Sequence, residues 1–454
     1  MSKLQLLFAV IFCILSWVIF NNITTKHEII VEDDGYYGSG DKIPDDTTIK
    51  TFKINVSTTV LDDLKYRLEN ARISHEVLED VDNFEYGFNS KTLKKVKDYW
   101  INQYDWKKYE NILNSFPQYI TQIEGLNIHF LRIVPDKKYK KVYPLLLVHG
   151  WPGNIFEFYK IIPMLSNPKE HLQLLKDDDV AFELIVPSIP GYGYSSASKK
   201  RNFNQLATAR IFKKLMERLG HKKFFLQGGD WGSLITANIA RYWPENCLGL
   251  HLNMAFDMPT TIWDYYYQIA GTLFPTFVFK DKEFSSYSFS SWIIVILREM
   301  GYAHIQATKP DTVGTSLNDS PIGLAAYILE KFSTWTSNDY MYLRDGGLTN
   351  DFTMDELITI VMIYWTNGNI VPSQRYYREY FYNYNSIEAT KKYVSVPTGY
   401  AAFPHDLGER VPPEIFSLHY NTTLYTLMDK GGHFAAFQRP KDLAYNIFEF
   451  IKTV

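Results

Sequence analysis

Asp230 sits at the centre of Gly228-Gly229-Asp230-Trp231-Gly232-Ser233, a run that reads as a strand end, a tight glycine turn and a helix start. An elbow of the pattern G-x-Nu-x-G strains the backbone so that its central side chain stands exposed at the top of a sheet, and the flanking glycines remove Cβ clashes. With a carboxylate at the centre, the first covalent product is an ester on the protein's own side chain. Serine in that place suits esters and amides; aspartate suits attack on sp³ carbon, in a strained epoxide or an alkyl halide. Such a nucleophile needs a base to activate water against the ester and a carboxylate to orient that base. His433, in Lys430-Gly431-Gly432-His433-Phe434, follows the last expected strand, and the two glycines before it let an imidazole lean over the elbow. A lone histidine is more often structural, but the chain order Asp, acid, His and the Gly-Gly context favour the base. The orienting acid is expected at Asp406, in Phe403-Pro404-His405-Asp406-Leu407, with Asp257 as the rival and Glu409 as a weaker third. His149-Gly150-Trp151-Pro152-Gly153 ends an apolar strand, and the Trp151 and Trp231 backbone amides are expected to face the oxyanion that forms when water attacks the ester.

The elements that must position these residues are legible from periodicity. Buried or alternating runs predict strands near Ile128–Ile133, Tyr143–Val148, Phe182–Val186, Lys223–Gln227, Leu248–Asn253, Tyr393–Pro397 and Leu424–Met428. Helices are expected at Asn204–Leu219, Gly232–Trp243 and Pro440–Lys452. Strand, helix, strand alternation signals a mostly parallel sheet in an α/β fold. From residue 258 to 385 the alternation stops, and helical, aromatic-rich sequence reads as an inserted lid. The first core part is expected over 143–257 and the second over 386–454. Residues 25–142 read as a region wrapping that core: an acidic, aperiodic arm, then helical spacing in Leu61, Leu64 and Leu68 and in Leu93, Val96, Trp100 and Tyr104.

Residues 1–24 hold a run of 17 uncharged residues, Leu4 to Phe20, which as a helix spans about 25 Å, enough for a thin bilayer. An uncleaved membrane anchor is expected. A cleaved signal peptide is the alternative, but no small-x-small pair follows the run. Cys13 and Cys247 are the only cysteines, which excludes a disulfide framework. With 47 basic against 50 acidic residues, nothing points to nucleic acid or to steering of an anionic substrate. Aromatics at 16% suit an apolar ligand tunnel as well as an ordinary core. No His-Glu-x-x-His, Walker loop or complete G-x-G-x-x-G is present, since Gly191-Tyr192-Gly193-Tyr194 lacks the third glycine, so no metal and no organic cofactor is expected.

The chain resembles the microsomal epoxide hydrolases, in the branch that includes the insect juvenile hormone epoxide hydrolases. The resemblance rests on the N-terminal apolar run, Asp33-Asp34-Gly35-Tyr36-Tyr37-Gly38, His149-Gly150-Trp151-Pro152-Gly153 and the Asp230 elbow. It continues through Asn318-Asp319-Ser320-Pro321, Glu330-Lys331-Phe332-Ser333-Thr334-Trp335, Val396-Pro397-Thr398-Gly399 and Gly431-Gly432-His433-Phe434. It implies an α/β-hydrolase fold, hydrolysis of an apolar epoxide to a vicinal diol, an endoplasmic-reticulum anchor and a cytosolic catalytic body. It also implies two lid tyrosines that donate hydrogen bonds to the epoxide oxygen, at Tyr302 in Gly301-Tyr302-Ala303-His304 and Tyr377 in Gln374-Arg375-Tyr376-Tyr377, with Tyr376 as the rival. Juvenile hormone is the substrate one branch implies, xenobiotic epoxides the other. One difference stands: microsomal members mostly carry Glu where this chain has Asp406, whereas soluble epoxide hydrolases use Asp. A haloalkane dehalogenase is the nearest enzymatic alternative, and a membrane-anchored lipid-binding protein the non-catalytic one.

Overall fold

The computed structural model describes residue 29 and residues 31–135, 138–172, 179–255, 259, 261–407 and 410–454. The apolar run Leu4–Phe20, Asp257 and Glu409 lie outside the described residues. Among the described residues no helix is long and apolar enough to cross a membrane.

One nine-stranded sheet organises the chain, in the order β1-β2-β3-β5-β4-β6-β7-β8-β9. The strands are β1 (Lys50–Phe52), β2 (Gln118–Ile123), β3 (Leu126–Ile133), β4 (Lys141–Val148), β5 (Val180–Pro187), β6 (Phe224–Gly228), β7 (Cys247–Leu252), β8 (Val394–Ala402) and β9 (Tyr420–Leu427). β1, β2 and β3 pair antiparallel, and β3 joins β5 antiparallel. From β5 to β9 every pairing is parallel. Helices cover both faces of a parallel sheet, so its strands bury both sides and read as continuous apolar runs; Leu145-Leu146-Leu147-Val148 and Phe224-Phe225-Leu226 are buried throughout.

Register brings the chemistry to one edge. Val148 lies opposite Gly228, and Gly228 opposite Leu252, so β4, β6 and β7 end side by side. The order β5-β4-β6 makes the gap between β4 and β6 a topological switch point, where the loops diverge and leave a crevice. Farther along, a bridge between His405 and Gly432 ties the loop after β8 to the loop after β9.

Between β7 and β8 the chain is helical, from Ile262–Leu273 to Tyr384–Ala389. Three earlier helices, Thr58–Glu69, Ser90–Asn102 and Trp106–Asn114, precede β2. They grip this insertion: the Tyr99 and Tyr109 hydroxyls donate to Asp355 at 2.8 and 2.9 Å, and Lys108 pairs with the same carboxylate at 3.2 Å. The arm from Glu32 to Asp46 runs along the sheet side. Arg210 donates to the Glu32 carbonyl at 3.1 Å, and the Tyr37 amide donates to Glu124 O at 2.8 Å.

Candidate active site

Asp230 joins β6 to the helix Trp231–Tyr242 at φ +50° and ψ −130°. A non-glycine residue there costs on the order of 1–3 kcal/mol, and the surroundings must hold it. The helix packs so closely that a Cβ on Gly232 would collide with the Val148 and His149 carbonyl oxygens. Asp230 occupies the N-cap position, yet its carboxylate does not cap the helix. Instead Oδ1 accepts from the Trp151 amide at 2.7 Å, across the switch point. The Trp231 amide opens the helix, where the first amides have no intrahelical acceptor.

His433 stands over this carboxylate, its Nε2 3.5 Å from Asp230 Oδ2. Its Nδ1 is 2.6 Å from Asp406 Oδ1, which also accepts from the Leu407 amide at 2.7 Å. The backbone is pinned as well: the His433 amide donates to Trp335 O at 2.8 Å, and the Trp335 ring meets the imidazole edge-on at 5.0 Å. Burial would push the His433 pKa down, but the Asp406 charge, hydrogen bonds to Asp230 and Asp406 and the Asp230 charge overcome it and hold the imidazole up at about 10. His149 is the opposite case. Burial pushes its pKa down to about 4, so the ring is neutral, with Nδ1 bonded to Gly150 O at 3.0 Å and Nε2 accepting from the Ile189 amide at 3.1 Å.

Tyr302, on the helix Gly301–Thr308, and Tyr377, on Ile370–Phe381, come from the helical insertion. Both are buried beside the elbow. Tyr302 stacks on Trp151 at 5.2 Å, and Tyr377 meets the Trp151 and Trp231 rings at 5.9 and 4.6 Å. The two hydroxyls lie close enough to influence each other and Asp230, and among the described residues the buried Tyr377 O–H has no partner within hydrogen-bond geometry. Burial, together with the Asp230 charge, raises both pKa values, so both hydroxyls carry their protons. Tyr376 differs: its hydroxyl bonds Thr208 Oγ1 at 2.7 Å. The structure therefore brings together Asp230, His433, Asp406, Tyr302, Tyr377, Trp151 and Trp231. A strained carboxylate, a histidine between two carboxylates, two amides at the elbow and two buried phenols form a site that can attack carbon, protonate the leaving oxygen and hydrolyse the resulting ester.

The sequence reading passed over Glu157. It shares with Gly150, Trp151, Gly229, Asp230 and His433 a cavity of about 10 Å³. The available signal is a single charge inside the apolar run Ile155-Phe156-Glu157-Phe158. A larger open cleft of about 740 Å³, bordered by Lys199, Lys200, Arg201 and Glu379, shares no residue with this site.

Residues 49–158 match the family described as epoxide hydrolase N terminus, and residues 143–399 the alpha/beta hydrolase fold. The chain is similar to epoxide hydrolase 1 of Sus scrofa, 46% identical over 434 residues that cover 94% of each chain. It is also similar to juvenile hormone epoxide hydrolase 2 of Ctenocephalides felis, 43% identical over 92% of this chain and 89% of that one. Among solved structures, the juvenile hormone epoxide hydrolase of the silkworm Bombyx mori superposes with a TM-score of 0.86 at 40% identity, covering 93% of this chain and 98% of that one. Identity at this level along nearly the whole chain, on the same fold, makes this protein a member of the epoxide hydrolase family and an epoxide-hydrolysing enzyme.

Proposed function

We propose that this enzyme opens an apolar epoxide through an ester on Asp230. The carboxylate attacks one epoxide carbon while Tyr302 and Tyr377 bond the oxygen, which leaves as an alkoxide and takes a phenolic proton. His433 is protonated in the resting site and cannot then accept a proton from water. Alkylation turns Asp230 into a neutral ester and so removes one of the charges that hold the imidazole proton. That proton makes good the one the tyrosine gave, and His433 becomes a base only once there is an ester to cleave.

Water then gives one proton to His433 Nε2 and attacks Cγ of Asp230, with the oxyanion facing the Trp151 and Trp231 amides. Collapse breaks the ester C–O bond, and the departing alkoxide takes the remaining proton of the former water. The diol leaves, Asp230 is again a carboxylate and His433 is again protonated. Asp406 fixes the imidazole tautomer and orientation throughout. The observation that carries this reading is the placement of His433 between Asp406 at 2.6 Å and the strained Asp230 at 3.5 Å.

The helices of 258–385 act as a lid carrying the two tyrosines, 25–142 as the wrapping region, and 143–257 with 386–454 as the core. Leu4–Phe20 anchors the enzyme in the endoplasmic reticulum with its body in the cytosol; its uncharged composition supports this. The aromatic walls around Asp230 suit an apolar substrate. Juvenile hormone is the physiological substrate proposed, given relatives of that name, with foreign aryl epoxides as the alternative.

The test converts an aryl epoxide and juvenile hormone to their diols with the wild type and with Asp230→Ala. Diol formed by the wild type and lost by more than roughly 10³-fold in the variant supports the ester route; the ratio of the two kcat/KM values assigns the substrate. Equal turnover by Asp230→Ala overturns it. For the anchor, alkaline extraction of microsomes should leave the chain in the membrane pellet, and its release to the supernatant would contradict the assignment.

A further inference from the structure

We infer that the Glu157 side chain holds the water that hydrolyses the ester, across one small cavity from Asp230 and His433. The inference rests on the roles proposed above for those two residues.

Glu157 lies in the short turn Ile155–Phe158, which Asn154 caps by accepting from the Phe156 amide at 3.0 Å. Its carboxyl folds over Gly153, where a Cβ would collide with it. It lines the same small cavity as Asp230 and His433, and about 10 Å³ is the room one water needs. Among the described residues Glu157 makes no ion pair. The titratable groups facing it are His433, Asp230 and Tyr364, the last of which donates its hydroxyl to Gly153 O at 2.9 Å. Burial pushes the Glu157 pKa up to about 8, opposed by His433 and reinforced by Asp230, so the carboxyl is protonated at neutral pH.

That protonation suits the hydrolytic step. The attacking water donates one proton to His433 Nε2 and turns a lone pair toward Cγ of Asp230, which leaves its second O–H in need of an acceptor. The carbonyl oxygen of a neutral Glu157 supplies one. A carboxylate there would set a second negative charge beside the resting Asp230 and beside the tetrahedral oxyanion. No further reactant enters: the water proton goes to His433, the new C–O bond forms at Asp230, and the ester C–O bond breaks as the diol leaves.

Pre-steady-state kinetics on the full chain, with trapping of the alkylated protein and intact-mass detection, separate the two half-reactions. Glu157→Ala should alkylate within about twofold of wild type and hydrolyse the ester on the order of 10²-fold more slowly, so the adduct accumulates. Glu157→Gln keeps the carbonyl acceptor without a titrating proton. It should hydrolyse within a few-fold of wild type, and the alkaline decline of wild-type hydrolysis, set by loss of the Glu157 proton, should move to higher pH. Ester hydrolysis at the wild-type rate in Glu157→Ala, or Glu157→Gln as slow as the alanine variant, or an unmoved alkaline limb, each overturns the inference. If the alanine variant does not fold, the glutamine limb decides. No adduct on Asp230 in any form, wild type included, would overturn the underlying ester route as well.

Discussion

Asp230 and Asp406 are the same side chain on either side of one imidazole, and their backbones divide the work. Asp230 is held at φ +50° with an amide on Oδ1, while Asp406 meets the imidazole at 2.6 Å. Replacing Asp406 by Asn removes the charge that does most to hold up the His433 pKa and disturbs the tautomer the base needs. Asp406→Asn should slow ester hydrolysis by about 10²–10⁴-fold and alkylation far less, so that the adduct persists in single-turnover mass spectra. The two neighbouring tyrosines make a second contrast. Tyr377→Phe removes a buried hydroxyl that has no partner among the described residues and should lower the alkylation rate by roughly 10²-fold. Tyr376→Phe breaks a bond to Thr208 and should lower stability by about 1 kcal/mol with kcat/KM within about twofold. Parallel rapid-quench and denaturation measurements on the two variants check both. That Asp230, His433 and Asp406 belong together was legible from their motifs and chain order. Tyr377 over Tyr376 came only from the family resemblance, because adjacent helix positions differ by about 100° in direction and local pattern does not say which of them meets the elbow.

At the scale of elements, the arm lies against a buried ion pair of the body. Arg210 reaches both Glu124 oxygens, at 2.7 and 2.6 Å, with the side chains 6% and 1% exposed. Lys214 adds 2.9 Å to Glu124 and 2.7 Å to Asp34. Removing Arg210 leaves the buried Glu124 with Lys214 as its remaining cation and takes away two charge-assisted hydrogen bonds. Arg210→Ala should therefore cost about 1.5–3 kcal/mol in chemical denaturation and expose residues near 32–46 to limited proteolysis. Denaturation midpoints matching wild type would contradict that. Sequence pattern located β3 to β9, whose buried faces produce strong apolar runs, but passed over β2. There Gln118 points inward and bonds His129 Nε2 at 2.8 Å, so a buried polar residue interrupts the expected alternation. A three-residue edge strand such as β1 is too short to show a period at all.

Over the whole molecule, stability should depend on pH through imidazoles buried in neutral form. Burial pushes His129 down to about 3, and His149 and His251 to about 4. A depressed histidine pKa favours the fold above its unfolded value of about 6.5, and that contribution is lost as pH falls through the folded values. Tm should thus drop steeply between about pH 6.5 and 4. His433 acts in the opposite direction, its contribution fading as pH rises toward about 10. Scanning calorimetry across pH 4–9 would show the acid limb, and a flat Tm from about 6.5 to 4 would contradict it.

What the chain by itself determined is local: a strained elbow needs its glycines, a parallel strand needs an apolar run, and a carboxylate at the elbow needs a histidine and a second acid downstream. The first two are constraints on neighbours in sequence and the third on residue type and chain order, and all three write themselves into the chain. The convergence of distant loops, by contrast, is settled in the fold. The register Val148, Gly228, Leu252 sets Trp151 against Asp230, and the bridge from His405 to Gly432 brings Asp406 to His433. The turn after β4 lays Glu157 into the same cavity. Protonation states followed from that convergence, because burial and the charges of remote residues, rather than local sequence, keep Glu157 neutral and hold a proton on His433.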